Sequence, residues 1–313
     1  MDRLDFSGDL NDVFKQVADT FKLGELQSHS LIPVGYEDVN FMLHTSIGKY
    51  FVKIFAKTKV QSDIDRYAGN IEAALAAGVP HPTLNKQESG EALFRVSDTK
   101  LQLLVMEWVK GKSFWDERRQ PTTAEAKEVI QIAAKINGSS HKPTATYDSW
   151  AANNIENEFN QYGRTLIGDD KQLVGEVVDD FKKLHIDLLP HCFVHGDLIA
   201  TNVLVSDAGL YVVDFSVASY YPRIQELAVL FCNLLFDENN EVNSKQLYDD
   251  SIQQYRKTIE LAEEEVSALG TYTRAAHAMH IIGASKAITR NEDDDENQYW
   301  LKLGRTGLSM NIY

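Results

Sequence analysis

Cysteine is nearly absent: Cys192 and Cys232 are the only two in 313 residues. Two thiols cannot form a disulfide framework, so buried free cysteines are expected. Positive charge is short as well. Against 46 acidic side chains stand 31 basic ones, a formal net charge of -15, which argues against nucleic acid or an anionic membrane surface as a partner. Long apolar runs are missing. The stretch MDRLDFSGDLNDVF has no apolar h-region. The longest apolar helical pattern, residues 227–236, is too short to cross a bilayer and contains Asn233. A soluble cytoplasmic protein, monomeric or homodimeric and with no membrane partner, is expected. Neither G-x-x-x-x-G-K-[ST] nor G-x-G-x-x-G occurs, which excludes a Walker-type phosphate loop. There is no internal repeat, and the acidic run 292–296 reads as a solvated loop.

What is present is concentrated in residues 193–215, FVHGDLIATNVLVSDAGLYVVDF. FVH and NVLV read as short buried strands. Asp207-Ala208-Gly209 is a turn signal, and residues 210–213 form the return strand. His195, Asp197 and Asn202 stand as H-x-D-x-x-x-x-N, and Asp214 follows twelve residues after Asn202. Asp197 and Asn202 therefore belong to a loop and Asp214 to the end of the adjoining strand, an arrangement suited to a site on a rigid scaffold. Phosphoryl transfer calls for these residue types. One carboxylate accepts the proton of an acceptor hydroxyl. An amide oxygen and a second carboxylate hold the magnesium that bridges nucleotide phosphates. We assign Asp197 as the base, Asn202 and Asp214 as magnesium ligands, and His195 as a brace for the loop. The bland alternative is a polar hairpin whose Asp and Asn cap turns. The complete set, flanked by strands and followed by a further acid, argues against it.

HGDLIATNVLV followed by VVDF resembles the catalytic segment of the aminoglycoside phosphotransferase and choline kinase superfamily, and most of all that of the kinase-like homoserine kinases. PRIQELAVLF, from Pro222, is similar to the superfamily helix that opens Asp-Pro-x-x-Asp-Leu-Ala, with Glu226 in place of the usual Asp. The likeness is sharp over residues 195–230 and weak elsewhere. It implies an α+β, protein-kinase-like fold of two lobes. The small N-terminal lobe would carry an antiparallel sheet and a helix, and the larger C-terminal lobe would be mainly helical. It also implies ATP with magnesium and a small hydroxylated acceptor. The expected divisions are a nucleotide-binding lobe at 1–106, a hinge at 107–111 and a catalytic and acceptor-binding lobe at 112–313.

The rest of the chain can be placed on that expectation. Leu10, Val13, Phe14, Val17, Ala18 and Phe21 make a helical stripe. Residues 39–43 and 50–55 alternate like paired strands. Lys53 stands inside the second, where an ammonium needs an anionic partner; the resemblance gives it the nucleotide phosphates, and the bland alternative is an edge-strand lysine. Residues 35–38 lie where the superfamily has a nucleotide-covering loop. Ile64, Tyr67, Ala68, Ile71, Ala74 and Leu75 make a second helical stripe, ended by Gly78 and Pro80. The superfamily carries an acid on this helix to pair with the lysine. Tyr67 and Ala68 stand where it is expected, so Glu72, or else Asp65, is the candidate, against a plain exposed helix charge. LLVMEWVKG looks like the hinge, with Met106 behind an adenine and backbone groups of Glu107, Trp108 and Val109 bonding it. Thr122 to Glu125 fits a capping box before a further helix. Residues 245–261 and 263–290 read as long helices, and Pro222 as the first residue of the helix that ends near Phe236. Arg274 and His277, on the last of these patterns, are candidate acceptor contacts. His277 and His280 share a helix face without the third ligand that a metal would need.

Three functions remain in view: a small-molecule O-kinase, a serine/threonine protein kinase, and a silent nucleotide-binding module. Seven residues between Asp214 and Pro222 leave no room for an activation loop, and Asp214-Phe215-Ser216 lacks the glycine of D-F-G. Both points favour a small acceptor. Homoserine, amino alcohols, aminoglycosides and sugars are not separated by the sequence, nor is ATP from GTP.

Overall fold

A computed structural model of the chain describes residues 2–33, 35, 37–290, 292 and 294–313. Tyr36 of the expected covering loop and Asp293 of the acidic run lie outside the described residues. The chain divides into two compact units, one of residues 1–76 with 80–111, the other of residues 77–79 with 112–313.

The first unit opens with α1, Leu10–Thr20, whose N-cap Asp9 accepts from the Asn11 N–H at 2.8 Å. Its apolar stripe buries Val13, Phe14, Val17 and Ala18, and Phe14 meets Phe41 edge-on at 5.0 Å. Strands β1 (Leu26–Ile32), β2 (Val39–Thr45) and β3 (Lys49–Ile54) follow, then α2 (Gln61–Ala76), β4 (Phe94–Arg95) and β5 (Gln102–Glu107). They form an antiparallel sheet in the order β1-β2-β3-β5-β4. Periodicity misses β1, because an edge strand that is half polar shows no clean alternation. β4 is only two residues long, Phe94–Arg95. Gly78 closes α2 with φ +74, as expected of a helix-ending glycine.

The second unit begins with β6 (Gly111–Ser113), α3 (Phe114–Glu117) and α4 (Thr123–Asn137), the last held by the Thr122–Glu125 capping box. Helices α5 (Ile155–Tyr162) and α6 (Asp170–Phe181) lead to β7 (His191–Val194), β8 (Val203–Ser206), β9 (Gly209–Val212) and β10 (Ser219–Pro222). β8 and β9 pair around the Asp207-Ala208 turn, Val203 facing Val212. β7 pairs with β10, His191 facing Pro222. Pro222 is thus the end of a strand. Helix α7 starts later, at Ile224–Leu230, and runs into a π-helical turn at Phe231–Leu235. Proline can end an edge strand because the pairing there does not require its missing N–H. Helices α8 (Glu241–Arg256), α9 (Glu263–Thr289) and α10 (Asp295–Ser309) complete the chain. α9 buries Tyr272, Met279, Ile281 and Ile282 at its centre. Among the described residues no helix is long and apolar enough to cross a membrane. Both cysteines are free, Cys232 buried and Cys192 half-buried.

Candidate active site

The loop between β7 and β8 carries His195, Asp197 and Asn202, and the chain just past β9 carries Asp214. Gly196 separates His195 from Asp197 with φ +79. A Cβ there would make only an ordinary contact, with Val217 O at 3.5 Å, so the left-handed backbone is what calls for glycine. The His195 ring is wholly buried. Its Nδ1 accepts from the Asp197 N–H at 3.2 Å, which leaves Nε2–H to donate to Val213 O at 3.1 Å. Val213 N–H in turn donates to Asn202 O at 2.9 Å. Both peptide groups of Val213 thus tie the loop to the strand end that presents Asp214. Asn202 Nδ2 donates to Asp197 O at 2.9 Å and to Asp197 Oδ2 at 2.7 Å. Asp214 has a positive φ of 68, uncommon for a residue other than glycine, and its Oδ1 accepts from Ser216 N–H at 3.2 Å. Phe215, next in the chain, is fully buried, parallel to Phe193 at 5.9 Å and 4.4 Å from the His195 ring.

A buried layer supports this loop. Glu226 on α7 is wholly enclosed, and its Oε2 accepts from His195 N–H at 2.5 Å. Asn137, at the end of α4, donates from Nδ2 to Phe193 O at 2.9 Å and accepts from Tyr255 Oη at 2.7 Å. Burial pushes the Glu226 carboxyl up to about 7, partly offset by the His195 amide. Burial lowers His195 to about 4, so the ring is neutral near pH 7. Asp197 is pushed up to about 7 by burial and then by the negative charges of Asp148 and Asp214, against the Asn202 hydrogen bond. Asp148 is itself nearly buried, accepts from Trp150 N–H at 2.9 Å and is raised by burial to about 6. A carboxylate held near neutral pH suits proton transfer.

The donor set fits a hard divalent cation. Asn202 commits its amide nitrogen to Asp197, and its amide oxygen together with the Asp214 carboxylate are the two oxygen groups that would hold such an ion. Two protein oxygens with retained waters is a magnesium-like requirement. Among the described residues no three His, Cys, Asp or Glu side chains converge on one ion, so a closed all-protein cage of such ligands is not built here.

In the first unit Lys53 is 6 % exposed, with its Nζ 3.3 Å from Asp38 Oδ2 and 5.1 Å from the centre of the Tyr67 ring. The candidate helix acids have other partners. Glu72 is half exposed and binds Lys86 at 2.7 Å, and Asp65 accepts from Gln61 at 2.7 Å. Asp38, from the loop before β2, puts a carboxylate on Lys53. Met106 is buried near the end of β5 and bridges Leu84. The Glu107 N–H donates to Thr83 O at 2.9 Å and is committed, while Trp108 and Val109 follow half-buried.

Arg274 and His277 both have partners within the second unit. Arg274 pairs with Asp180 on α6 at 3.3 Å. His277 is fully enclosed, with Nε2 2.7 Å from Tyr313 Oη, so it has no face open to an acceptor. The sequence reading missed Asp148, Asn137 and Tyr255. Only Asn137 left a trace, a polar residue closing an apolar helical stripe.

The phosphotransferase enzyme family (APH) matches residues 28–264 of the chain. A homoserine kinase from Parvibaculum lavamentivorans is 24% identical over 266 residues, covering 82% of this chain and 79% of its own. Among solved structures, an amicoumacin kinase superposes with a TM-score of 0.68 at 14% identity, covering 96% of this chain and 94% of its own. A choline kinase from Streptococcus pneumoniae does so at 0.64 and 16%, covering 96% and 99%. The two-part α+β architecture is thus shared with protein-kinase-like enzymes. The family match spans the paired strands of the first unit and the His195-to-Asp214 constellation. The chain belongs to the phosphotransferase enzyme family, as a kinase that acts on a hydroxyl acceptor.

Proposed function

We propose that the chain transfers the terminal phosphoryl group of ATP, with magnesium, to a hydroxyl of a small amine-bearing molecule. The observation that supports this reading is the hydrogen bonding that ties Asp197, Asn202 and Val213 to one another just before Asp214. Asp197 Oδ1, on the carboxyl whose Oδ2 is held by Asn202, accepts the acceptor's hydroxyl proton as that oxygen bonds to the terminal phosphorus of ATP, the bond from that phosphorus to the bridging oxygen breaks, and ADP leaves. His195 holds Asp197 in register by accepting from its N–H at Nδ1. Asn202 Oδ1 and Asp214 would hold the magnesium ion, which would supply positive charge against the negative charge of the transferring phosphoryl group. Within the first unit, Lys53 is a fixed positive charge of the kind that nucleotide phosphates need, and Trp108 and Val109 at the β5 end are the candidates to bond the nucleotide base through their backbone. Catalysis is then mostly positioning and charge stabilisation.

The relatives support the classes of ligand. The amicoumacin kinase was solved with AMP-PNP and Ca2+, and related proteins are named for homoserine, choline and aminopropanol. An amine on the acceptor is supported by Asp148. This nearly buried carboxylate forms no ion pair among the described residues, and Asp197 feels its charge. A cationic acceptor would relieve that repulsion. The test is phosphate transfer from labelled ATP to a panel of hydroxylated amines, amino acids and sugars, with and without magnesium. Transfer to amine-bearing acceptors supports the reading. Transfer only to protein serine or threonine would replace it.

A further inference from the structure

We propose that Asp38 and Tyr67 are the residues that position Lys53, in the place that the superfamily gives to an acid on the first unit's helix. The proposal rests on the phosphotransferase reading and deepens it. A buried ammonium needs both an anion and a shaped seat. Asp38, 7 % exposed, supplies the anion at 3.3 Å, and the Tyr67 ring supplies the seat at 5.1 Å. Tyr67 stands where the acid was expected, so α2 contributes a ring face there and the charge comes from elsewhere. The two nearby acids of α2 are committed to Lys86 and Gln61.

Asp38 is itself anchored on several sides. Its Oδ1 accepts from Ala56 N–H at 3.0 Å, just past β3. Its peptide oxygen accepts from Arg3 Nη1 at 3.0 Å, and the same guanidinium nitrogen reaches Gly35 O at 2.7 Å. Arg3 O accepts from Lys57 N–H at 2.9 Å. The loop before β2, the turn after β3 and the segment before α1 thus close a ring around the Lys53 pair. Lys53 is aligned by the sheet and by this ring, so a shift of α2 moves its ring seat but leaves its charge partner in place.

Two readouts test this, one without turnover. The first is acylation of the Lys53 amine at pH 8, measured by mass spectrometry with acetic anhydride as the probe. Losing the opposite charge favours the neutral, reactive amine. Asp38→Asn keeps an oxygen for Ala56 N–H, and we expect it to raise Lys53 labelling by about fivefold, while Glu72→Gln stays within about twofold. The second readout is kcat with the acceptor that the wild type uses. Asp38→Asn should lower kcat by about tenfold or more with a smaller change in KM for ATP, and Asp38→Glu should restore part of it. Tyr67→Phe, which keeps the ring face, should match the wild type, and Tyr67→Leu should not. Adding Asp38→Asn to Lys53→Ala should cost nothing further, because both act through one ammonium. Additive losses, or a Glu72→Gln effect on labelling larger than that of Asp38→Asn, overturn the proposal. Shifted labelling with unchanged kcat overturns the positioning role. If Asp38→Asn shifts labelling but the wild type transfers no phosphate, the phosphotransferase reading has failed and the positioning role falls with it.

Discussion

The Asn202 amide nitrogen donates to both the peptide oxygen and the side-chain Oδ2 of Asp197, at 2.9 and 2.7 Å. In the proposed mechanism this one side chain would orient the base and, through its other end, hold the cation. Removing it should damage two functions at once. Asn202→Ala is expected to lower kcat by about 100-fold and to raise the magnesium concentration for half-maximal rate by about tenfold. Rate measurements across a magnesium series check this. An unchanged magnesium dependence would take Asn202 out of the cation site.

The pH dependence follows from Asp197, raised to about 7. The base must be ionised, so kcat/KM should fall by about tenfold per unit below pH 7. Asp148 contributes to that elevation, so Asp148→Asn should move the midpoint to lower pH. In the fold, a carboxyl raised above its unfolded value is a burden above pH 7 that disappears toward pH 4. Asp197→Asn should therefore stabilise the unliganded protein more at pH 8 than at pH 5, as read by thermal unfolding.

His195 works in the opposite direction. Its folded value is about 4 and its unfolded value about 6.5. The stability that the neutral buried ring contributes is complete above pH 6.5 and is lost as pH falls toward 4, by up to about 3 kcal/mol. Urea unfolding of the wild type at pH 7.5 and 4.5, beside His195→Gln, reads this difference. An equal pH slope in the variant would contradict it.

Glu226 and Gly196 support the loop from behind. Glu226→Gln keeps an oxygen for the His195 N–H and should be tolerated, while Glu226→Ala leaves a buried N–H without its acceptor at a cost of about 1–3 kcal/mol. Gly196→Ala forces a Cβ onto φ +79 and should cost about 1–2 kcal/mol. Thermal melts with turnover assays separate the tolerated variant from the two damaging ones.

The legible parts of the chain are those where chemistry and periodicity coincide. H-x-D-x-x-x-x-N gave the loop, and the two apolar runs around Asp207-Ala208 gave β8 and β9. The Thr122–Glu125 box gave the start of α4. What stayed hidden depends on distance in sequence. Asp148 lies far from Asp197 along the chain and belongs to no motif. Asp38 looked like a loop acid, and only the pairing of β2 with β3, which sets Asn40 opposite Lys53, carries it to the lysine. Pro222 matched a helix start by family pattern, yet pairing with His191 holds it in a strand. His277 shared a promising helix face, and burial against Tyr313 absorbed it into the core.

The most direct test of the central claim is transfer of labelled phosphate from ATP to hydroxylated amines, run with magnesium on the wild type and on Asp197→Asn. The account predicts magnesium-dependent transfer by the wild type and a loss of at least about 100-fold in the variant, with nucleotide binding retained. Equal transfer by the two proteins would remove Asp197 from the chemistry and contradict the account.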